Sequence, residues 1–444
     1  MTRTTSDALP PTDSIPAQTQ RPAWRDTLSA LRVHNFRLFA GTNLVAMTAA
    51  WMQRIAQDWL VLELSGSVAA VGITVAMQFT PMLVFGLLGG VLVDRYSKRA
   101  LMMITQGAFA VLSILLAVLT LVGVVEVWHI FVIAFMTGLV TVIDNPARQV
   151  FVNELVGPAH LRNAISINSS IFQLGGMIGP ALSGLLMLGV GAGWSFALNG
   201  AACLAVVFTL SRIRKSELIY SPRAARTSGQ LREGLRYAMS KPTIHVPITL
   251  LASFSIFALT MPVLLASYAD DVFGVGSGGY GLFNAMVAVG SLVGALASTR
   301  RATVRLREVV LTAGVAGLLQ ATAGFMPTIV AFAASLVTVG IATLLFLTAA
   351  NSLVQMSSNM GIRGRVMSLY VMVLLGGQAL GGPLMGWVVE QFGTHVAMVL
   401  AGGVPALVAV TVGLLHARRH DLRLRVRLRR AIPTFSIVTG TGRS

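Results

Sequence analysis

The chain has 444 residues, is 55% hydrophobic and 11% charged, and has a mean hydropathy of +0.76. A soluble globular chain carries about 25% charged residues, so this composition excludes a water-soluble enzyme of ordinary make. Uncharged stretches of about 20 residues recur, the length that spans a bilayer as helix, and they are too long for barrel strands.

The formal net charge of +17 would suit a nucleic-acid binder, but the placement of the bases argues against that partner. The single cysteine, Cys203, lies in an apolar run and can form no intrachain disulfide. Met1 to Arg21 is polar and Pro/Thr-rich, and the first apolar run after it is too long for the core of a cleavable leader.

In chain order, a polar tail leads through a short amphipathic stretch, Trp24 to Arg37, to the first apolar run. Hydropathy predicts helices near 38–63, 68–93, 100–124, 128–148, 162–189, 192–211, 244–270, 278–298, 308–326, 328–356, 366–389 and 394–416. The expected fold is an all-α polytopic membrane protein, twelve transmembrane helices in two six-helix pseudo-symmetric halves. Residues 1–37 form a cytoplasmic tail and lead-in, 38–211 the N-terminal half and 212–243 a cytoplasmic linker. Residues 244–416 form the C-terminal half, and 417–444 a basic cytoplasmic tail.

Charge placement supports that threading. Of 33 Lys and Arg, 32 fall in alternate loops and the two tails, the exception being Arg54 in the first helix. The opposite loops hold Glu63, Glu126, Asp270, Asp271 and Glu390 and essentially no bases. The positive-inside rule then puts both termini in the cytoplasm of a multi-pass inner-membrane protein.

Two landmarks repeat. Gly90-Val-Leu-Val-Asp94 closes helix two, and Gly294-Ala-Leu-Ala-Ser298 closes helix eight, 204 residues on. Gly175-Gly-Met-Ile-Gly179-Pro180-Ala-Leu-Ser183-Gly184 stands in helix five, and Gly377-Gln-Ala-Leu-Gly381-Gly382-Pro383-Leu-Met-Gly386 in helix eleven, with Pro383 falling 203 residues after Pro180. Internal repeats of this kind are the signature of secondary transporters.

These residues resemble the major facilitator superfamily over nearly the whole chain apart from the tails. Gly90-x-Leu-x-Asp94-Arg95-x-x-Lys98-Arg99 is similar to that superfamily's motif between helices two and three, with Ser97 where glycine is usual. Gly175, Gly179, Pro180 and Gly184 are similar to its antiporter motif in helix five, with Ser183 in place of a glycine. Asp144-Asn-Pro146-Ala-Arg148-Gln149, Asn163-Ala-Ile-Ser-Ile-Asn168 and Arg363-Gly364-Arg365-Val-Met-Ser-Leu-Tyr370 resemble the branch that includes enterobactin and macrolide exporters.

The resemblance implies a gating latch. Asp94 would accept hydrogen bonds at the open N-terminus of helix eleven near Val366, where the helix dipole favours a carboxylate. Arg95, Lys98 and Arg99 would brace neighbouring helix ends and reach Asp144; bases that merely fix topology are the plainer account, but need no aspartate. Asp144 alone also fits a solvated helix end. The helix-five glycines permit close approach; in this family the motif is associated with exporters and seals helix five against the other half.

Arg54 and Asp58 are the deepest charges, spaced i, i+4 on one face of helix one, where they can pair. Asp58 would carry the proton, or Arg54 would bind an anionic substrate, or the two form a static pair holding helix one against helix seven. Asn168, Gln173, Asn284, Gln320, Asn351 and Gln378 lie in apolar helices and can line a central cavity or join helices.

No phosphate-binding loop, metal-ligand spacing or nucleophile–base set occurs. The expectation is therefore not an enzyme but a proton-coupled exporter of small amphipathic compounds, with no cofactor beyond the proton gradient. The alternatives are export of a siderophore or other anionic metabolite, and a non-transporting receptor or scaffold. Expected partners are a small-molecule substrate, protons and the bilayer, with anionic lipid at the basic tail Leu422 to Arg430, no nucleic acid and no second protomer.

Overall fold

The computed structural model describes residues 29–219, 230–298, 304–359, 362–419, 422–429 and 432–439. Five helices form the N-terminal half: α1 (His34–Ser65), α2 (Val68–Arg95), α3 (Lys98–Val122), α4 (Val127–Gly189) and α5 (Ala192–Arg212). A linker helix α6 (Gln230–Ser240) leads to α7 (Pro242–Ser253), α8 (Met261–Ser267), α9 (Gly276–Ser298), α10 (Leu306–Ala323), α11 (Ile329–Ser357), α12 (Arg363–Phe392) and α13 (Thr394–Arg419). The last sixteen described residues pair as an antiparallel hairpin, β1 (Leu422–Arg429) and β2 (Ile432–Thr439).

Ten helical stretches among the described residues are long and apolar enough to cross a membrane. The two remaining members of the twelve are α1, which carries Arg54 and Asp58, and α10, which opens on Arg307-Glu308 and holds Gln320. Helix one starts at His34, earlier than the expected 38; of the amphipathic lead-in, only Ser29–Arg32 precedes it as a described turn, and residues 24–28 lie outside the described residues.

The expected helix order changes in two places, each with a proline. Predicted helices four and five run on as α4, broken at Gly157, whose φ of 65° and ψ of −177° leave the helical region. Pro158 disfavours a helical residue before it, and glycine takes positive φ without a Cβ penalty. Pro158 also has no N–H for the Glu154 carbonyl four residues back; Ile219 N, at the start of the linker, donates to that oxygen at 2.8 Å. Predicted helix seven divides into α7, a π-helical turn (Phe254–Ala258), α8 and a second π-helical turn (Tyr268–Val272). Here Pro262 has no N–H for Ala258 O, and Gln320 Nε2 from α10 donates to it at 3.1 Å. In lipid an unmet backbone carbonyl is expensive, so another chain segment supplies the missing donor.

One end of the bundle carries Glu63, Glu126, Asp270 and Glu390, the other Arg95, Lys98, Arg99 and Lys241; they are called here the acidic and basic ends. Packing differs between them. At the acidic end a single buried cluster joins both halves, with Ile55, Val71 and Phe196 from one and Leu264, Tyr280, Phe332 and Met385 from the other. At the basic end there are two clusters, one wholly within the N-terminal half around Phe39 and Phe151, the other wholly within the C-terminal half around Phe254 and Phe346. The halves are therefore joined at the acidic end and parted at the basic end.

Candidate gate and coupling site

Glycines build both seams between the halves. A Cβ on Gly386 of α12 would lie 2.7 Å from Ala69 Cα on α2, and Gly72 sits against the Gly382 carbonyl with no room for one. The α2–α12 seam continues to Leu83, whose side chain lies against Gly376; beyond it, a Cβ on Gly86 would meet only Met82 of its own helix, and one on Gly364 at the start of α12 would meet nothing within 4 Å. On the other side of the bundle a Cβ on Gly281 of α9 would stand 2.7 Å from both Gly184 Cα and Pro180 O of α4.

The antiporter-motif helix thus makes two different contacts. Gly184 and Pro180 seal against the opposite half. Gly179 seats helix α1 of its own half, where a Cβ would lie 2.6 Å from Trp51 Cβ, and Gly175 does the same at Met47. Ser183, the departure from the motif, is buried and donates to Met52 O at 3.0 Å, so its hydroxyl ties the two helices together.

Asp58 lies in the sealed region and is 1% exposed. Its Oδ2 accepts from the hydroxyl of Tyr280 on α9 at 3.3 Å, while Trp59 lays its ring 5.9 Å from that of Tyr280. Asp58 Oδ1 and Gln57 Nε2 have no hydrogen-bond partner among the described residues. A buried carboxylate with an unmet oxygen is costly to keep in an apolar surround. The hydrogen-bond partner across the seam stands on α9, predicted helix eight, while α8 of predicted helix seven also packs on α1.

Arg54 does not reach Asp58: among the described residues the ion pairs are Lys98–Glu154, Arg148–Asp144 and Arg214–Glu217. Its Nε donates instead to Gln78 Oε1 on α2 at 2.9 Å. The guanidinium lies 4.9 Å from the Phe79 ring centre and 5.6 Å from that of Trp51, a cation–π setting. It is half-buried, whereas Gln53, Ile55, Ala56, Gln57 and Asp58 around it are buried. One turn from the gate, it is a cation with an open side.

Asp144 sits in a buried network of the N-terminal half. Its Oδ1 accepts from Thr105 at 2.7 Å and Gln106 at 3.0 Å on α3, and its Oδ2 from Arg148 Nη2 at 2.8 Å. Arg148 also donates to Asn43 on α1, whose own amide donates to Asn168 at 3.2 Å on the far arm of α4. With both oxygens occupied and 4% exposure, Asp144 has no contact with the Arg95–Arg99 loop in this conformation.

Among the described residues, Lys98 and Arg99 of the loop that follows α2 bond within the N-terminal half. Lys98 Nζ stands 3.9 Å from Glu154, and Arg99 donates to Leu210 O at 2.6 Å and Ser211 O at 2.9 Å, capping the end of α5. All these partners are in its own half. Arg95 is exposed, Gly90 lies on α2, and the side chain of Asp94 falls outside the described residues.

Of the six candidate cavity amides, five are half-buried and one is not. Asn284 donates to Tyr280 O, Gln378 to Leu374 O, and Asn351 accepts from Gln355; Asn168 holds Asn43, and Gln173 is half-buried. Gln320 is the correction: 1% exposed, it serves the backbone beside Pro262 and joins helices instead of lining a cavity.

A family model described as transmembrane secretion effector, within the major facilitator transporters, matches residues 25–427. The chain belongs to this family. Among its relatives, the enterobactin exporter EntS of Salmonella typhimurium is 24% identical over 398 residues, 89% of this chain and 94% of the exporter. The multidrug efflux pump Tap of Mycolicibacterium fortuitum is 27% identical over 389 residues, 83% of this chain and 92% of the pump. Among solved structures, the nucleoside transporter NupG superposes with TM-score 0.69 at 14% identity, covering 86% of this chain and 99% of that one. An inward-facing bacterial homologue of the lysosomal transporter Spinster gives 0.66 at 16%, covering 89% and 98%. These structures share the major facilitator fold: a multi-pass membrane protein with a small-molecule substrate.

Tyr280, Gly281, Asn43 and Gly72 were not singled out by sequence. A tyrosine and single glycines in apolar helices carry no partner label.

Proposed function

We propose that this member of the secretion-effector family exports small amphipathic compounds from the cytoplasm by alternating access, coupled to inward proton flow. The observation that carries the reading is the arrangement at Asp58: a buried carboxylate with an unmet oxygen, held across the sealed seam by Tyr280. Separating the halves at the acidic end would break that contact and wet the carboxylate, so proton binding and gate position are linked. The names of EntS and Tap support export, and the apolar, methionine-containing walls suit amphipathic cargo.

Under the positive-inside rule the basic end and both termini face the cytoplasm, with residues 38–211 and 244–416 as rocking halves and 212–243 as linker. The protein then works in the inner membrane as a monomer, as a transporter and not an enzyme, with the proton gradient in place of a cofactor. Alternation of Arg and apolar residues along Leu422–Arg429 suits contact with anionic lipid, roughly 1 kcal/mol per base near the surface.

A second reading, export of an anionic metabolite, is favoured by Arg54, whose half-buried guanidinium is positioned beside aromatic faces one turn from the gate. Everted vesicles decide between them. With the lumen acidified, accumulation of cationic or neutral dyes supports the first, accumulation of anionic catechol compounds the second, and no accumulation of either overturns proton-driven export.

A further inference from the structure

Helices α2 and α12 run antiparallel along one seam, each from one half, and their ends match. Near the finish of α12 stands Glu390, an exposed carboxylate. Its Oε1 accepts from Ser67 Oγ at 2.5 Å and from Ala69 N at 3.1 Å. Ser67 is the N-cap of α2, and its own hydroxyl oxygen accepts from Ala70 N at 3.2 Å. A carboxylate from the C-terminal half therefore completes the cap of a helix in the N-terminal half. Two of the open N–H groups of the first turn are met, one by Ser67 and one by Glu390, and the negative charge lies at the positive end of the helix dipole.

The approach is possible because the seam beneath it has no side chains to hold it apart. Gly386, one turn before Glu390, faces Ala69 directly, and Gly382 faces Gly72. Without those glycines the carboxylate could not come within hydrogen-bond reach of the α2 backbone.

We propose that Glu390 is a latch for the acidic end, holding the halves together there by capping α2 across the seam. It positions the halves and does not touch substrate. Asp94 lies at the end of α2, near where α12 begins, so each helix of the pair carries a carboxylate near its finish and offers an open N-terminus at its start. The counterpart of Asp94 in the closing of the opposite end is thus Glu390 on α12, not the uncharged Ser298 that occupies its repeat position. Closing one end takes the carboxylate at the other away from its cap, and the two contacts alternate. The proposal rests on alternating access and is independent of which compound is carried or what drives it.

Spin-label distances across the acidic end test this in the purified full-length chain, in lipid nanodiscs with Cys203→Ala and labels at Val190 and Phe325. Both positions are exposed, at 56% and 70%, on opposite halves. Glu390→Ala should lower the ratio of short to long distances about two- to five-fold, the range expected for a carboxylate at an exposed helix start. Glu390→Gln, which keeps an acceptor oxygen but loses the charge, should fall between Ala and the parent. Glu63→Ala, another exposed carboxylate at the same end, should leave the ratio unchanged. A Glu390→Ala distribution equal to the parent, or a Glu63→Ala shift as large, overturns the latch.

Discussion

Tyr280 of α9 and Asp58 of α1 stand 222 positions apart in the chain, and the tyrosine hydroxyl donates to the aspartate at 3.3 Å across the sealed seam. The bond can exist only while the acidic end is shut. Under the proposed proton-coupled export, it would tie the ionisation of one carboxylate to the relative position of the two halves.

Replacing Asp58 by Asn removes the proton but keeps the shape and an acceptor for Tyr280. Gradient-driven accumulation in everted vesicles should fall to background, while exchange of labelled for unlabelled substrate at equal pH continues. Unchanged uptake under a pH gradient would take Asp58 out of the coupling.

Gly281→Val pushes a branched side chain into the backbone of Gly184 and Pro180, atoms that cannot rotate away. Overpacking costs about 1–3 kcal/mol, which is roughly five- to a hundred-fold in the balance between closed and open at about 1.4 kcal/mol per decade. Labels across the acidic end should report mostly long distances, and transport should drop because the chain cannot complete the return stroke.

At the buried network, Asp144→Asn leaves the Arg148 guanidinium without its ionic partner among α1, α3 and α4. Breaking such a pair from one side costs about 3–5 kcal/mol, whereas replacing both charges by apolar groups is often near neutral. Melting in detergent should therefore show a large loss for Asp144→Asn and a smaller one for the double change Asp144→Leu with Arg148→Met.

Arg54→Met tests the anionic reading. A charge-assisted hydrogen bond is worth about 1.5–3 kcal/mol, so an anionic substrate that uses it should show KM raised ten-fold or more. Neutral and cationic compounds should keep theirs. Equal effects on all three classes would mean that Arg54 serves the helix α2 contact through Gln78 and not the cargo.

Much of the architecture was legible in the order of residues because membranes allow few solutions. Apolar runs of one length, bases in alternate loops and a repeat of two landmarks are each a direct consequence of lipid as solvent. Asp58 stood out for the same reason, as a charge where charge is expensive. What could not be read were relations between helices. Gly281 and Gly386 look like any other membrane glycine until the opposing helix is in place. Gln320 could line a cavity or join helices, the two uses of a polar side chain in an apolar helix, and only the lost N–H of Pro262 says which. The same holds for Ile219, whose N–H meets the Glu154 carbonyl that Pro158 leaves open. Prolines announce that a donor is missing, but not who will supply it.

The unequal division of the buried clusters, one across both halves at the acidic end and two separate at the basic end, has a calorimetric consequence. The two clusters at the basic end are already apart in this conformation. Opening the acidic end wets aromatic and aliphatic side chains packed as an interior, and hydrating such area raises heat capacity by about 0.45 cal/K/mol for each Å². The two faces of this transporter should then respond unequally to temperature, with a curved van't Hoff plot for their equilibrium and a resting preference set partly by warmth.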